Sequence, residues 1–193
     1  MMQLRFDSNH SSFLRGLGAA QRSIRTAAKE ALDDTAFQVR NEIVHRTYPQ
    51  SFTVRSPKFA SNAFRVYKAS PKYLNAVIFD KTESEWLSRQ AHGGVKTDPR
   101  GLVPVPTKKV KRNQRGISKR HWQRSILARG GFKVTARGGE NLFGKAGKSV
   151  SAYYFLRRRV NVPKRFPFYE TGERIVRQTY TRNFSRRFLN IKS

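Results

Sequence analysis

The chain has no cysteine, which excludes disulfides, thiol catalysis and cysteine-based zinc sites. Apolar runs are short: Ala76-Val77-Ile78-Phe79 is typical, and about 20 such residues would be needed to span a bilayer, so no membrane partner is expected. Met1 to Arg15 has no apolar stretch of the signal-peptide kind, and Asp7 argues against a transit peptide, so a protein made and used in a cytoplasm is expected. Acids are the scarcest charged class, 12 Asp and Glu against 40 Lys and Arg. Hydrophobic residues make up only 37%, yet 14 Phe and 7 Tyr supply bulky anchors, so wholesale disorder is not expected. At 193 residues the prior is one domain, 1–193, with a modest core.

The net charge of +28 is unevenly placed. Residues up to Val95 hold 14 basic and 8 acidic side chains, whereas those after it hold 26 and 4. From Lys96 to Arg137 there are 13 Lys or Arg and one acid, Asp98. A free globular domain gains nothing from such self-repulsion, which points to a polyanionic partner or to acidic neighbours in an assembly.

Periodicity predicts an α+β fold, a mostly antiparallel sheet flanked by a long N-terminal helix and a C-terminal helix, with a long basic loop or arm at about 107–131. Leu14, Leu17, Ile24, Ala27, Ala28, Ala31, Ala36, Val39 and Ile43 recur at helical spacing, with Ser11 or Ser12 as cap and Tyr48-Pro49 as the stop. Phe52 to Arg55 alternates like a strand, Ser56-Pro57 opens a short helix through Tyr67, and Tyr73 to Phe79 reads as another strand. Thr82 is the expected cap of a helix that Gly93-Gly94 ends. Leu102 to Pro106 carries two prolines, which confine it to a sheet edge or a loop. Thr107 to Lys119 shows no apolar periodicity and reads as an arm ordered only when neutralised; Ile117 to Ala128 can form a short basic helix around Trp122. Phe132 to Arg137 and Ala152 to Val162 read as strands, glycine-rich Gly138 to Lys148 as a loop between them, and Thr171 as the cap of the last helix.

No catalytic set is apparent. His10, His45, His92 and His121 stand at no metal-ligand spacing. Asp33 and Asp34, adjacent on a helix, point about 100° apart and read as a solvated face. Gly144-Lys145-Ala146-Gly147-Lys148 lacks the spacing and context of a phosphate-cradling loop. No metal, cofactor or enzymatic role is expected. The charge run is the stronger candidate: Lys108, Lys109, Lys111, Arg112, Arg115, Lys119, Arg120 and Arg124, joined by Arg157 and Arg159, can meet nucleic-acid phosphates or acidic protein, and the residues leave both open. Arg157-Arg158-Arg159 falls in a predicted strand, where alternation puts Arg157 and Arg159 on one face. Without a base-reading motif, any nucleic-acid contact would be sequence-blind.

Three segments carry a resemblance. They are Ala31-Leu32-Asp33-Asp34-Thr35-Ala36 with Val39-Arg40 and Phe52-Thr53-Val54-Arg55; Trp86-Leu87-Ser88-Arg89-Gln90 with Gly93-Gly94 and Gly101 to Pro106; and Tyr154-Phe155-Leu156 with Val160-Asn161-Val162-Pro163, Phe168 and the closing helix. In this order they resemble the minor tail protein Z group of long-tailed bacteriophages, related to tail-completion proteins at the head–tail joint. The resemblance implies a non-enzymatic virion protein, made in the host bacterial cytoplasm. Its copies would form a homo-oligomeric ring, sixfold by expectation, at the head-proximal end of the tail. There it would meet the tail tube or tail terminator, the head connector and the backbone of double-stranded DNA. The ring contacts expected are Leu17, Ile24, Ala31, Val39 and Ile43 on the first helix and Tyr180, Phe184 and Phe188 on the last. The competing expectation is a sequence-nonspecific nucleic-acid-binding protein acting outside a virion, and a weaker one is an enzyme whose site is not legible in sequence.

Overall fold

The computed structural model describes residues 10–192 apart from positions 100, 114, 115, 138, 147 and 148. In chain order come α1 (His10–Glu42), a π turn (Ile43–Thr47), α2 (Tyr48–Ser51), α3 (Phe59–Ala63), β1 (Phe64–Tyr67), β2 (Val77–Asp80), α4 (Glu85–His92), β3 (Gly94–Lys96) and β4 (Val103–Pro106). Then follow β5 (Arg112–Asn113), β6 (Gly116–Ile117), a 3-10 turn (Lys119–His121), α5 (Gln123–Leu127), β7 (Phe132–Ala136), β8 (Gly139–Ala146), β9 (Ser149–Arg157), β10 (Val160–Val162) and α6 (Phe168–Lys192). The fold is α+β, every strand pair is antiparallel, and long helices stand at both ends. The chain divides into two compact units.

Unit 1 comprises Met1–Gln50, Ala60–Glu83 and Phe168–Ser193. Its frame is an antiparallel pair of helices, α1 and α6, stitched by polar contacts. Thr47 and Thr171 hydroxyls lie 3.2 Å apart, Arg174 reaches Glu42 at 3.0 Å, and Asn183, buried, donates to Thr35 Oγ1 at 2.9 Å and Gln38 Oε1 at 3.2 Å. Arg187 grips Asp34 with two hydrogen bonds, Nε to Oδ2 at 2.8 Å and Nη2 to Oδ1 at 2.9 Å. Ala27, Ala31, Val39, Ile43 and Phe64 supply its core, and the Phe64 ring stacks on Phe168 at 5.8 Å. The β1–β2 hairpin is tied to α1 by Arg40, whose guanidinium donates to the carbonyls of Phe64 and Ser61, and by Asp33, which accepts the Ala69 N–H at 2.8 Å.

Several expectations are corrected here. Helix α1 is already formed at His10, so Ser11 and Ser12 lie inside it and neither is its cap. Helical structure continues past Pro49 to Ser51 because a π turn precedes it: the Tyr48 N–H bonds Ile43 O, and the wider turn spares the proline ring its usual clash. Val66 and Tyr67 belong to β1, not to a helix. Thr171 is buried within α6, three residues past its start, bonded to Thr47. Asp33 is not solvated: it is 7% exposed and also holds Lys29 at 2.8 Å.

Unit 2 comprises Ser51–Phe59 and Ser84–Pro167. Its centre is a four-stranded sheet of order β4-β9-β8-β7, one face covered by α5 and the 107–117 segment through Val110, Ile117 and Ile126 against Leu142, Tyr154 and Leu156. Strand β4 is an edge, as its prolines require. The Thr107 N–H donates to Tyr153 O, so odd positions face β9, and Pro104 and Pro106 turn their missing donors outward. Phe52 to Arg55 forms no strand; Phe52 packs instead on Trp86 and Phe166, both at 5.4 Å between ring centroids. Helix α4 starts after Ser84, while the Thr82 hydroxyl bonds Asp80. Gly93 ends α4 at φ 76°, its N–H on Arg89 O, as the sequence predicts.

The glycine-rich segment expected to be a loop is strand β8. A Cβ at Gly139 would sit 1.9 Å from Leu156 O, so this glycine serves close strand approach, not a turn. Arg158 and Arg159 lie outside β9, which ends at Arg157, so the expected alternation across the three arginines does not hold.

Candidate nucleic-acid interface

Unit 2 holds 23 of the 40 Lys and Arg but only 3 of the 12 Asp and Glu. Two of those acids, Glu85 and Glu140, are spent on Arg89 and Lys133. In unit 1, by contrast, the carboxylates Glu30, Asp34 and Glu42 of α1 are paired with Arg174, Arg186 and Arg187 of α6. Most of the charge excess therefore belongs to unit 2, which carries +20 against +8 for unit 1, and it is dense along the loop that leaves the sheet edge at Thr107.

That loop is long and basic, as expected, but it is anchored. The Thr107 hydroxyl donates to Ala152 O at 2.8 Å, the Val110 N–H to Thr107 O, and the Ser118 N–H to Lys111 O, which closes the small β5–β6 hairpin. Val110, 5% exposed, and the half-buried Ile117 join the sheet's core cluster. Lys108, Lys109, Lys111, Arg112, Lys119, Arg120 and Arg124 are thereby held with their side chains exposed. Arg115 lies outside the described residues. Arg157 is half-buried and engaged by Glu140 O, Asn141 Oδ1 and Leu156 O over the Phe155 ring, whereas Arg159 is exposed.

The 3-10 turn and α5 form a corner tied to the sheet through a bulge in β9. Leu142 pairs with Tyr154 but Phe143 with Ala152, so Tyr153 is the extra residue. In a regular strand Tyr153 and Tyr154 would face opposite ways; here both meet the corner. Tyr154 donates its hydroxyl to His121 O at 2.7 Å, and Tyr153 stacks on the His121 ring at 5.7 Å. Trp122 is pinned by its indole N–H on Ile117 O at 3.1 Å, and the Arg124 guanidinium lies over its ring at 4.8 Å. Arg129 donates through Nε to Ser125 O at 2.9 Å and through Nη2 to Arg120 O.

Two open grooves flank this corner. One, of about 580 Å³, is lined by Lys119, Arg120, Ser125, Ala128 and Arg129. The other, of about 370 Å³, is lined by Pro104, Ile117, Trp122, Gln123, Arg124 and Tyr154. The first is cationic without an acid; the second has apolar and aromatic walls. His121 sits between the two lining sets in sequence, its Nδ1 buried with no partner among the described residues. Burial, and then the charges of Arg129, Arg120 and Lys111, hold its imidazole below the usual histidine value. Arg129, Ser125 and Tyr153 are missed by sequence reasoning, since the helix expected over Ile117 to Ala128 stops short of Arg129 and bulges leave no local signature.

The expected ring-contact residues divide. Leu17 and Ile24 are exposed, whereas Ala31, Val39 and Ile43 are buried in the core of unit 1 and present no surface. Tyr180, Phe184 and Phe188 are half-buried and form a stacked ladder along α6, with centroids 6.3 and 6.0 Å apart. Among the described residues no group of three or more His, Asp and Glu is placed to hold a metal ion, and no helix is long and apolar enough to cross a membrane.

Nothing matches this chain. No protein family, curated protein or solved structure is similar enough to it to add a function to this geometry.

Proposed function

We propose that the protein is a non-enzymatic structural component of a tailed-phage virion, a tail-completion or neck subunit. In this reading it forms a ring at the head-proximal end of the tail and joins the tail to the head connector. The observation that carries it is the segregation of charge. Unit 1 pairs carboxylates of α1 with arginines of α6, as a scaffold does, and carries a net +8, while unit 2 carries +20, a dense array of exposed cations with almost no acid of its own. Such a surface suits the phosphates of a genome end, bound through neutralisation and counterion release and blind to sequence. The resemblance to minor tail protein Z supplies the setting.

The test is cryo-EM of the neck of the virion whose genome encodes this chain. The expected result is a ring of copies at the tail–head joint with the 107–131 loop on the channel side. Absence of the chain from virions overturns the proposal and favours the second reading, a sequence-nonspecific nucleic-acid-binding protein acting alone. The same cationic unit supports that reading, which expects tight, salt-sensitive duplex binding by the isolated protein.

A further inference from the structure

We infer that the corner formed by the 3-10 turn and α5 is a nucleotide-binding site for single-stranded nucleic acid. The phosphate would lie in the cationic groove of Lys119, Arg120 and Arg129, and an unstacked base in the neighbouring groove beside Trp122. This rests on the reading that unit 2 meets nucleic acid, and it adds a preference that a merely basic surface lacks.

Three observations carry it. First, the cationic groove is preorganised. Arg129 has two of its donors fixed on the carbonyls of Ser125 and Arg120, which holds its guanidinium in the wall of the groove alongside Lys119. A guanidinium so fixed loses little further freedom on taking a phosphate. Second, the adjoining groove has the chemistry of a base slot: Pro104, Ile117, Tyr154 and Trp122, with the Arg124 guanidinium over the indole. Planar guanidinium and aromatic faces are platforms on which any base can stack without sequence readout. Third, the platform does not depend on a ligand for its position. The indole N–H is bonded to Ile117 O, and Tyr154 holds the His121 carbonyl next to it. In a duplex each base is stacked and paired inside, so a phosphate groove beside an aromatic slot is satisfied in full only by a strand whose bases are free.

The test is fluorescence anisotropy on the full-length protein with a labelled ten-nucleotide oligothymidine and a labelled 20-base-pair duplex at matched salt. Expected for the wild type is tighter binding of the single strand by about tenfold or more, with quenching of tryptophan fluorescence, since base stacking contributes roughly that factor per base. Trp122→Ala should abolish the preference by lowering oligothymidine affinity far more than duplex affinity, and Trp122→Phe should keep most of it. Arg129→Gln and Arg124→Gln, both at exposed positions, cover the case in which Trp122→Ala does not fold. The first should lower single-strand affinity several-fold with a shallower salt dependence, the second should reduce the preference. Equal affinity for strand and duplex, unmoved by Trp122 and Arg124 variants, overturns the inference while leaving the basic-surface reading intact. Failure to bind either probe at low salt overturns both.

Discussion

The hydroxyl of Tyr154 donates to the backbone carbonyl of His121 at 2.7 Å, locking strand β9 to the turn that carries Lys119 and Arg120. Tyr154 is 3% exposed and His121 half-buried, so competing water has limited access to this bond. Tyr154→Phe should cost about 1 kcal/mol in urea unfolding, the net worth of one hydrogen bond. It should also loosen the corner enough to weaken oligothymidine binding more than duplex binding, which a purely structural tyrosine would not do.

Asp33 is a second buried acceptor with a distinct role. It takes the Ala69 N–H at 2.8 Å and the Lys29 ammonium at 2.8 Å. Asp33→Ala strands a buried N–H and should destabilise by about 1–3 kcal/mol. Asp33→Asn retains the Oδ1 acceptor and should lose clearly less. Equal losses in chemical denaturation would show that the backbone bond is not what matters.

Two glycines should respond in opposite directions to the same change. Gly139→Ala forces a methyl against Leu156 O and must spread β8 from β9, with an expected loss of about 1–3 kcal/mol. Gly16, in α1, has nothing within 4 Å of its missing Cβ, so Gly16→Ala should stabilise by up to about 1 kcal/mol through helix propensity. Thermal unfolding of the two variants beside the wild type checks both signs.

Acidification should weaken the fold in two windows. The imidazole of His121 is held below its ordinary value, so the unfolded chain takes up that proton first, and stability falls as pH drops below about 6.5. His121→Phe, which keeps a ring against Tyr153, should flatten this upper window and change little above pH 7. Hydrogen bonds and charge from Arg187 and Arg186 outweigh burial and hold Asp34 below the usual carboxylate value. Its contribution is present above about pH 4 and lost as pH falls through the depressed value. Melting temperature against pH for wild type, His121→Phe and Asp34→Asn separates the two.

The bidentate Asp34–Arg187 pair should matter at neutral pH as well. Both side chains are partly exposed, so Arg187→Gln should cost about 1 kcal/mol, reduced by added salt. Loss of the pair should loosen α6 from α1 first near its C-terminal turns, read by hydrogen exchange.

How much of this was legible depended on how local the cause is. The α1 periodicity, the stop at Gly93, the edge position of Pro104 and Pro106 and the excess of charge after Val95 arise from neighbours in sequence: helical spacing, a positive φ, a missing N–H, a count. These determined an α+β protein with a long first helix and a strongly basic second half. Tertiary structure decided what distant residues do to one another. Phe52 gives up a strand for contact with Trp86 and Phe166. Gly139 sits in a strand because Leu156 comes too close for a side chain. Val110 orders a loop that has no periodicity, because a single apolar residue needs only one core to enter. The bulge that turns Tyr153 and Tyr154 toward His121 is set by pairing across three strands, and it is what shapes scattered cations into a corner with two grooves.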